Sequence, residues 1–211
     1  MVHQIFLILA MNFFRPLFIL TILVCLVPAG AYSQNVGGGL SLGPNFCQID
    51  GDFYKGFNKI GISAGGYAWY DFNDNVGLQV EILYNTKGAR ANTGGSGIYH
   101  SRLNYIDVPV LANFRLFGDR DKGIMFQAGL VPGSLLFARL GPNGLISNVT
   151  NNFRRFSMEA GSGFTFFLAP KISAMTRWNY SIRDISAYAD PTTSFRVSNH
   201  YITLALRFGL K

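Results

Sequence analysis

The stretch LNYIDVPVLANFRL (residues 103–116) alternates between two kinds of side chain. Because successive side chains of a β-strand point to opposite faces, the alternation predicts a strand between two different environments. An ordinary hydrophobic core would not collect the aspartate and arginine of the second set. The two sets are Ile106, Val108, Val110, Ala112, Phe114 and Leu116 against Tyr105, Asp107, Pro109, Leu111, Asn113 and Arg115. The fold therefore depends on which face lies inside.

The same alternation recurs along the chain and predicts eight strands. In residues 199–209, for example, Leu204 and Leu206 alternate with Ala205 and Arg207. The predicted strands span residues 36–46, 58–70, 75–85, 103–116, 122–131, 155–167, 171–182 and 199–209.

The connections between these strands alternate in length. Tight turns are predicted around 71–75, 118–122 and 168–171, and longer loops around 47–57, 86–102, 132–154 and 183–198. This order is typical of strands that run up and down through a membrane, with turns at one end and loops at the other. The sequence therefore predicts an all-β, eight-stranded, antiparallel up-and-down transmembrane β-barrel.

Composition and the N-terminal segment indicate an exported chain. Charged residues make up 14% of the 211 residues, against about 25% in soluble domains. Arg15, the apolar run Leu17 to Val27 and the small residues that follow predict a cleaved secretory signal over 1–33 and a barrel domain over 34–211. An uncleaved anchor is the alternative, but the run is short for a spanning helix.

Two kinds of eight-stranded barrel could have these strands, a soluble lipocalin-like carrier and a transmembrane barrel. On a soluble barrel the less apolar face would carry many charged residues. Here it is mostly small, and a barrel of eight strands has an interior just wide enough for side chains. The small residues on this face are Gly77, Gly129, Ser157, Gly161, Gly163, Ser173, Ala205 and Gly209. They favour the transmembrane barrel with a filled lumen.

Apart from the first two residues of each strand, the predicted strands carry three acidic and three basic residues. A buried ion without a partner is costly, so balanced charges suit an interior position. We therefore predict a polar network in the lumen, with Arg115 closer to the turns and a rim position in water left open for it. Its members are Glu81, Asp107, Glu159, Arg177, Arg207 and Arg115.

Pro109 interrupts a strand that has no free edge in a closed barrel. Proline cannot donate a backbone hydrogen bond, so it is tolerated at bulges and breaks. The sequence predicts a strand bulge or a local break in pairing at Pro109.

The excess of positive charge lies in the predicted long loops. Arginine and lysine at the rim of an outer-membrane barrel can bind the phosphates of lipopolysaccharide through charge-assisted hydrogen bonds. The possible contacts are Lys87, Arg90, Arg154 and Arg155. Nucleic-acid binding is not expected, because no recognition motif accompanies the basic residues of this exported chain.

The order Tyr105, Ile106, Asp107, Val108, Pro109 and the segment MTRWNYSIRDIS (175–186) carry a resemblance to a known family. Over residues 35–211 the chain resembles the bacterial outer-membrane β-barrel proteins often labelled porin-family or PorT-like. The resemblance implies a place in the Gram-negative cell envelope, both termini on the periplasmic side, and insertion by the outer-membrane assembly machinery.

The residues give little support for catalysis or metal binding. His200 has Ser198, Asp184 and Asp190 nearby in sequence, but a catalytic triad needs hydrogen-bond geometry that spacing cannot show. His100 and Ser101 are adjacent and would point to opposite faces of a strand. In the predicted barrel domain, His100, His200 and Cys47 are too scattered for a metal site. We expect no enzyme, no catalytic or metal-binding residue and no cofactor.

The expected function is therefore that of a monomeric integral outer-membrane protein with a filled lumen and a structural or surface-interaction role. One alternative is a narrow channel for ions or very small solutes. A second is a soluble lipocalin-like carrier, which requires the apolar face to lie inside.

Overall fold

The computed structural model describes residues 35–50, 56–92, 98–118, 122–142, 147–187 and 197–210, so the predicted signal over 1–33 lies outside the described residues. No described helix has the length and apolar character needed to span a membrane. The strands are β1 (Val36–Asp50), β2 (Lys59–Asp71), β3 (Val76–Lys87), β4 (Arg90–Asn92), β5 (Ile98–Asp107), β6 (Val110–Gly118), β7 (Gly123–Pro142), β8 (Ser147–Asn148), β9 (Phe156–Ala169), β10 (Ile172–Ser181) and β11 (Ser198–Gly209). A short 3-10 helix spans Thr150–Asn152.

The strands close into an antiparallel barrel. β5 and β6 are two halves of one barrel strand, because both pair with β3 on one side and with β7 on the other. Around the barrel the order is β1, β2, β3, β5/β6, β7, β9, β10 and β11, and β11 pairs with β1 to close it. The short strands β4 and β8 add to β5 and β7. The predicted eight-stranded up-and-down barrel is confirmed.

The two ends of the barrel differ in their connections. β2–β3, β6–β7 and β9–β10 are joined by short turns at the end where β1 begins and β11 ends, which we call the turn end. The other end, the loop end, carries the longer connections. This alternation is the one that the sequence predicts.

The apolar face of each strand lies on the outside. Leu40, Leu204 and Val80 are 55%, 43% and 39% exposed, whereas the side chains of Asp107 and Arg207 are buried. A transmembrane barrel has this arrangement, with apolar residues toward the lipid and polar residues in the lumen. The soluble lipocalin-like carrier is therefore wrong for this chain, because its apolar residues would lie inside.

Several strands extend further toward the loop end than the sequence predicts. β7 continues to Pro142 instead of ending near residue 131, and its register against β5 shifts between Asn104 and Tyr105. The extra residue in β7 is Leu136, and it reverses the order of inward and outward positions, so Leu135 and Ala138 are both buried. A bulge of this kind hides the rest of a strand from a search for strict alternation.

Pro109 breaks the strand without a bulge. Val80 faces Val110 and Leu83 faces Asp107, so two residues lie between these pairs on both strands, and β7 keeps its register in the same way. The predicted break in pairing is present, and the predicted bulge is wrong because no extra residue is inserted. The Pro109 carbonyl accepts a hydrogen bond from the Glu81 amide at 2.9 Å. An antiparallel pair exchanges both bonds, so the bond that Pro109 cannot donate is the one to the Glu81 carbonyl.

Candidate functional site

One cluster of buried ions lies in the half of the lumen closer to the turns. Glu81 on β3 accepts from Arg177 on β10 (Nη2 to Oε2, 2.9 Å) and from Arg207 on β11. All three side chains are buried. We call these three residues the turn-end cluster. Each strand contributes an inward position, so the pairing follows from the register of the barrel and not from sequence proximity.

Amide side chains surround the turn-end cluster. Gln79 Nε2 donates to Glu81 at 2.5 Å, and its oxygen accepts from Gln127 Nε2 at 3.0 Å. Gln127 also donates to Asn113 at 2.9 Å and accepts from the Thr165 hydroxyl at 3.1 Å. Arg207 approaches the oxygens of both glutamines, at 3.4 and 3.5 Å. The carboxylate and guanidinium groups therefore belong to a continuous hydrogen-bond network.

A second cluster, of opposite composition, lies closer to the loop end. Lys87 Nζ is 2.8 Å from Asp107 Oδ2 and 2.8 Å from Glu159 Oε1, and all three side chains are fully buried. The ammonium group also lies 4.5 and 4.8 Å from the ring centres of Tyr105 and Tyr201. We call Lys87, Asp107 and Glu159 the loop-end cluster. The two tyrosines add cation–π contacts to its ion pairs.

Hydrogen bonds fix the carboxylates of the loop-end cluster. The Tyr201 hydroxyl donates to Glu159 at 2.7 Å, and Asn85 Nδ2 donates to Asp107 at 2.6 Å. Gly133 lies opposite Asp107, and a Cβ atom there would come within 2.2 Å of the Asp107 carboxylate. A glycine at this position is needed because the carboxylate approaches the neighbouring backbone so closely.

The sequence-predicted lumen residues fall into these two clusters, except for Arg115. Arg115 lies at the turn end, partly exposed, with Nη2 4.0 Å from Asp71 Oδ2. This is the rim position that the sequence left open for it. Lys87 was expected in an exposed loop as a lipopolysaccharide contact, and that prediction is wrong, because β3 continues to Lys87 and directs it into the lumen.

Aromatic side chains lie at the turn end of the lumen, and an apolar cluster lies at its loop end. At the turn end, Tyr67 and Trp69 stack with ring centres 5.7 Å apart, and Arg207 lies over the Tyr67 ring at 4.9 Å. At the loop end an apolar group, which we call the loop-end cap, packs above the loop-end cluster. Its members are Ile49, Leu103, Tyr105, Leu135, Ala138 and Ile185, with Ala89, Val149, Phe153 and Val197 packed against them.

Backbone hydrogen bonds hold two loops together in the loop-end cap. The Arg154 amide donates to the Ile185 carbonyl at 2.8 Å, and the Ala187 amide donates to the Asn152 carbonyl at 2.9 Å. Arg154 Nε also donates to the Ser186 carbonyl at 2.9 Å. The described parts of these loops are therefore folded against each other above the lumen.

Comparison with known proteins agrees with this architecture. The sequence matches the family described as outer membrane protein beta-barrel domain over residues 32–187. The chain belongs to this family. It is an integral outer-membrane β-barrel, as the sequence resemblance implies. A search of curated proteins gave no match.

Solved structures that are similar to this outer-membrane barrel include three bacterial surface or outer-membrane proteins. Ail, the attachment invasion locus protein of Yersinia pestis, is 17% identical with a TM-score of 0.49, covering 83% of this chain and 99% of Ail. Neisserial surface protein A is 14% identical with a TM-score of 0.48, covering 82% and 96%. OprG from Pseudomonas aeruginosa is 12% identical with a TM-score of 0.40, covering 82% and 91%.

His200, the candidate catalytic base, has partners in this outer-membrane barrel other than a serine. His200 Nε2 accepts from Trp178 Nε1 at 2.5 Å, and Nδ1 lies 3.6 Å from Asp50 Oδ2. Asp184 accepts from the Ser186 amide at 2.8 Å, and Ser198 is buried. Asp190 lies outside the described residues. Among the described residues, no group of three His, Cys, Asp or Glu side chains could hold a metal ion.

The remaining basic residues predicted as lipopolysaccharide contacts lie at the loop end. Arg155 and Arg90 are exposed, whereas Arg154 is half-buried through its bond to Ser186. Two further basic residues at the loop end were not selected as contacts from the sequence, namely Lys59 at the start of β2 and Arg102 on β5. They lie on different strands, so only the register places them together.

Proposed function

We propose that this outer-membrane barrel is closed to solutes and acts at the cell surface through its loop end, in a structural or surface-interaction role. The observation that supports the proposal is the succession of buried side chains along the barrel interior. From one end to the other, Tyr67 and Trp69, the two ion clusters and the loop-end cap occupy the interior. An interior of eight strands leaves no further room for a wide pore.

The charge of the lumen supports a permanent closure. The turn-end cluster has one carboxylate and two guanidinium groups, and the loop-end cluster has one ammonium and two carboxylates. The two clusters together are neutral. An ion that crossed the lumen would have to replace these buried pairs, each of which is costly to break. For this reason we favour a closed barrel over the narrow channel for ions or very small solutes.

We propose that the loop end faces the outside of the cell and that both termini lie in the periplasm. Outer-membrane barrels have short periplasmic turns and longer extracellular loops. In this chain the short turns lie at the end where β1 begins and β11 ends. We further propose a monomer, because one chain closes the barrel by itself, and insertion by the outer-membrane assembly machinery as the sequence resemblance implies.

The proposed partner at the loop end is lipopolysaccharide. Exposed Arg90 and Arg155 can donate charge-assisted hydrogen bonds to phosphate, while half-buried Arg154 is partly engaged by Ser186. We propose no enzymatic activity, because His200 Nε2, the ring nitrogen that would take the proton of a serine, already accepts from Trp178 Nε1.

Planar-bilayer recording tests the closed lumen. The purified, folded protein should give no steady unitary current. The double variant R177A/R207A, which removes two large buried side chains, serves as the control that an opened lumen can be detected and should give a measurable conductance. A steady current through the unchanged protein would overturn the proposal and favour the narrow channel.

A further inference from the structure

The outer wall of the barrel carries a groove that the strand pattern does not predict. It has a volume of about 570 Å³ and runs over β1, β2, β3 and β5. Its apolar wall includes Leu42, Ile60 and Ile62, which are 54%, 66% and 48% exposed. Lys59 and Arg102 line the same groove. The volume lies within the roughly 300–1,000 Å³ of small-molecule sites.

The groove has a direction along the barrel axis. Leu42 and Ile62 lie part-way along β1 and β2, and therefore deeper in the apolar belt. Lys59 is the first residue of β2, and Arg102 lies near the loop end of β5, so both lie at the rim. The groove therefore has an apolar part toward the membrane centre and a cationic part toward the loop-end surface.

Basic side chains converge at the cationic part. Lys59 and Arg102 line the same groove, and Arg90 lies opposite His100 in the strand pair, two residues along β5 from Arg102. Lys59 is 8% exposed. Within the described part of the chain, no carboxylate forms a salt bridge with Lys59, Arg90 or Arg102. Three basic residues without a carboxylate partner favour an anion from outside the chain.

A second like-charge contact adds to this cationic rim. Arg102 on β5 and Arg139 on β7 lie directly opposite each other in the antiparallel pair. Both are exposed, and Arg139 lies 5.0 Å from the ring centre of Phe137. Like charges at opposing positions destabilise a sheet. A phosphate near Arg102 would offset the repulsion.

We infer that this groove binds one phosphorylated lipid of the outer leaflet, with an acyl chain along Leu42, Ile60 and Ile62 and a phosphate at Lys59, Arg90 and Arg102. The occupant to which we commit is the lipid A part of lipopolysaccharide. The inference rests on the proposed function, because the loop end must face outward. It goes further by giving the lipid a defined site on one side of the barrel, away from Arg155.

Native mass spectrometry of the folded protein in detergent provides the test. The probes are bisphosphorylated lipid A, the same lipid without phosphates, phosphatidylglycerol and inorganic phosphate. We expect one molecule of bisphosphorylated lipid A to be retained. The dephosphorylated lipid and inorganic phosphate should bind at least about tenfold more weakly, because each lacks one half of the contacts.

Three sets of variants locate the site. R90Q/R102Q removes two exposed charges and should weaken lipid A binding by at least about tenfold, and I62W should weaken it by filling the groove. The matched control, K122Q/K171Q, removes two exposed charges at the turn end and should change binding less than twofold. Heat-modifiable migration on a detergent gel checks that each variant is folded.

The outcomes separate this inference from the proposed function. Unchanged binding in folded R90Q/R102Q and I62W would overturn the site. If R155Q alone abolished binding, lipopolysaccharide contact would stand and this groove would not be its location. Equal retention of phosphatidylglycerol would overturn the commitment to lipid A. Conductance is measured separately, so a channel activity of the barrel would not affect these results.

Discussion

The two ion clusters inside the barrel have mirror-image compositions in different surroundings. In the turn-end cluster one carboxylate, Glu81, lies between two guanidinium groups, and glutamine amides extend the hydrogen bonds. In the loop-end cluster one ammonium, that of Lys87, lies between two carboxylates beside tyrosine rings and beneath an apolar cap. If the central ion is removed, the two ions left behind therefore have different remaining partners in the two clusters.

Each cluster also carries a net charge of its own, of opposite sign to that of the other. Asp107 of the loop-end cluster lies within electrostatic range of Arg177 in the turn-end cluster. Because charge interactions are stronger in a low-dielectric interior than in water, each cluster stabilises the charge of the other. We therefore predict that removing the central ion destabilises the two clusters by different amounts. We also predict that charge changes in the two clusters are energetically coupled.

The largest effect is expected for K87M in the loop-end cluster. The change leaves Asp107 and Glu159 buried side by side, and no other basic side chain forms a salt bridge with either of them among the described residues. Breaking a buried pair in this way costs about 3–5 kcal/mol. Urea unfolding in lipid vesicles would measure the loss, with K122M at the turn end as an exposed control. A loss below about 1 kcal/mol would show that the two carboxylates do not depend on Lys87.

A smaller effect is expected for E81Q in the turn-end cluster. Glutamine keeps the shape of the side chain, and the Gln79 and Gln127 oxygens still accept from Arg207. We expect a loss of about 3 kcal/mol in the free energy of unfolding, at the lower limit for breaking a buried ion pair, because the amides keep part of the hydrogen bonding of Arg207. The same urea experiment compares it with K87M. If E81Q proved the more damaging of the two, the amide network would not moderate the loss of the central ion.

The alternation of side chains in the sequence identified most of the buried lumen residues. It did not identify Lys87, on which the loop-end cluster depends most. Glu81, Asp107, Glu159, Arg177 and Arg207 were found because each occupies the polar side of a clear strand. Lys87 was assigned to a loop because the predicted strand ended at residue 85, although it keeps the inward alternation of Glu81. Continuing each strand's alternation beyond its last clear apolar residue would have placed Lys87 in the lumen.

Other features depend on information that one sequence does not contain. Which acid meets which base is fixed by the register of strands distant in sequence, as for Glu81 and Arg207. The loop-end cap is built from Val149, Phe153 and Ile185, whose segments have no periodicity. The bulge at Leu136 reverses the inward alternation of β7 and conceals its extension to Pro142.

The coupling between the clusters can be measured with a double-mutant cycle. R177M removes a positive charge from the turn-end cluster, and E159Q removes a negative charge from the loop-end cluster. The double variant restores the balance, so it should be less destabilised than the sum of the single changes by about 1 kcal/mol, within the roughly 0.5–3 kcal/mol of coupled sites. Unfolding free energies of the four proteins give the coupling. Strict additivity would mean that the clusters are electrostatically independent.

The smallest effect is expected at the boundary between the clusters. Pro109 lies between Asp107 and Asn113 on the same barrel strand, and its carbonyl accepts from the Glu81 amide. P109A restores an amide that can donate to the Glu81 carbonyl, a gain of about 0.5–1.5 kcal/mol. The greater freedom of the unfolded chain offsets this gain by about 0.4–1 kcal/mol.

The free energy of unfolding should therefore change by less than about 1 kcal/mol, while hydrogen exchange should show a protected amide at residue 109. A loss above about 2 kcal/mol would instead show that packing of the buried proline ring separates the two clusters.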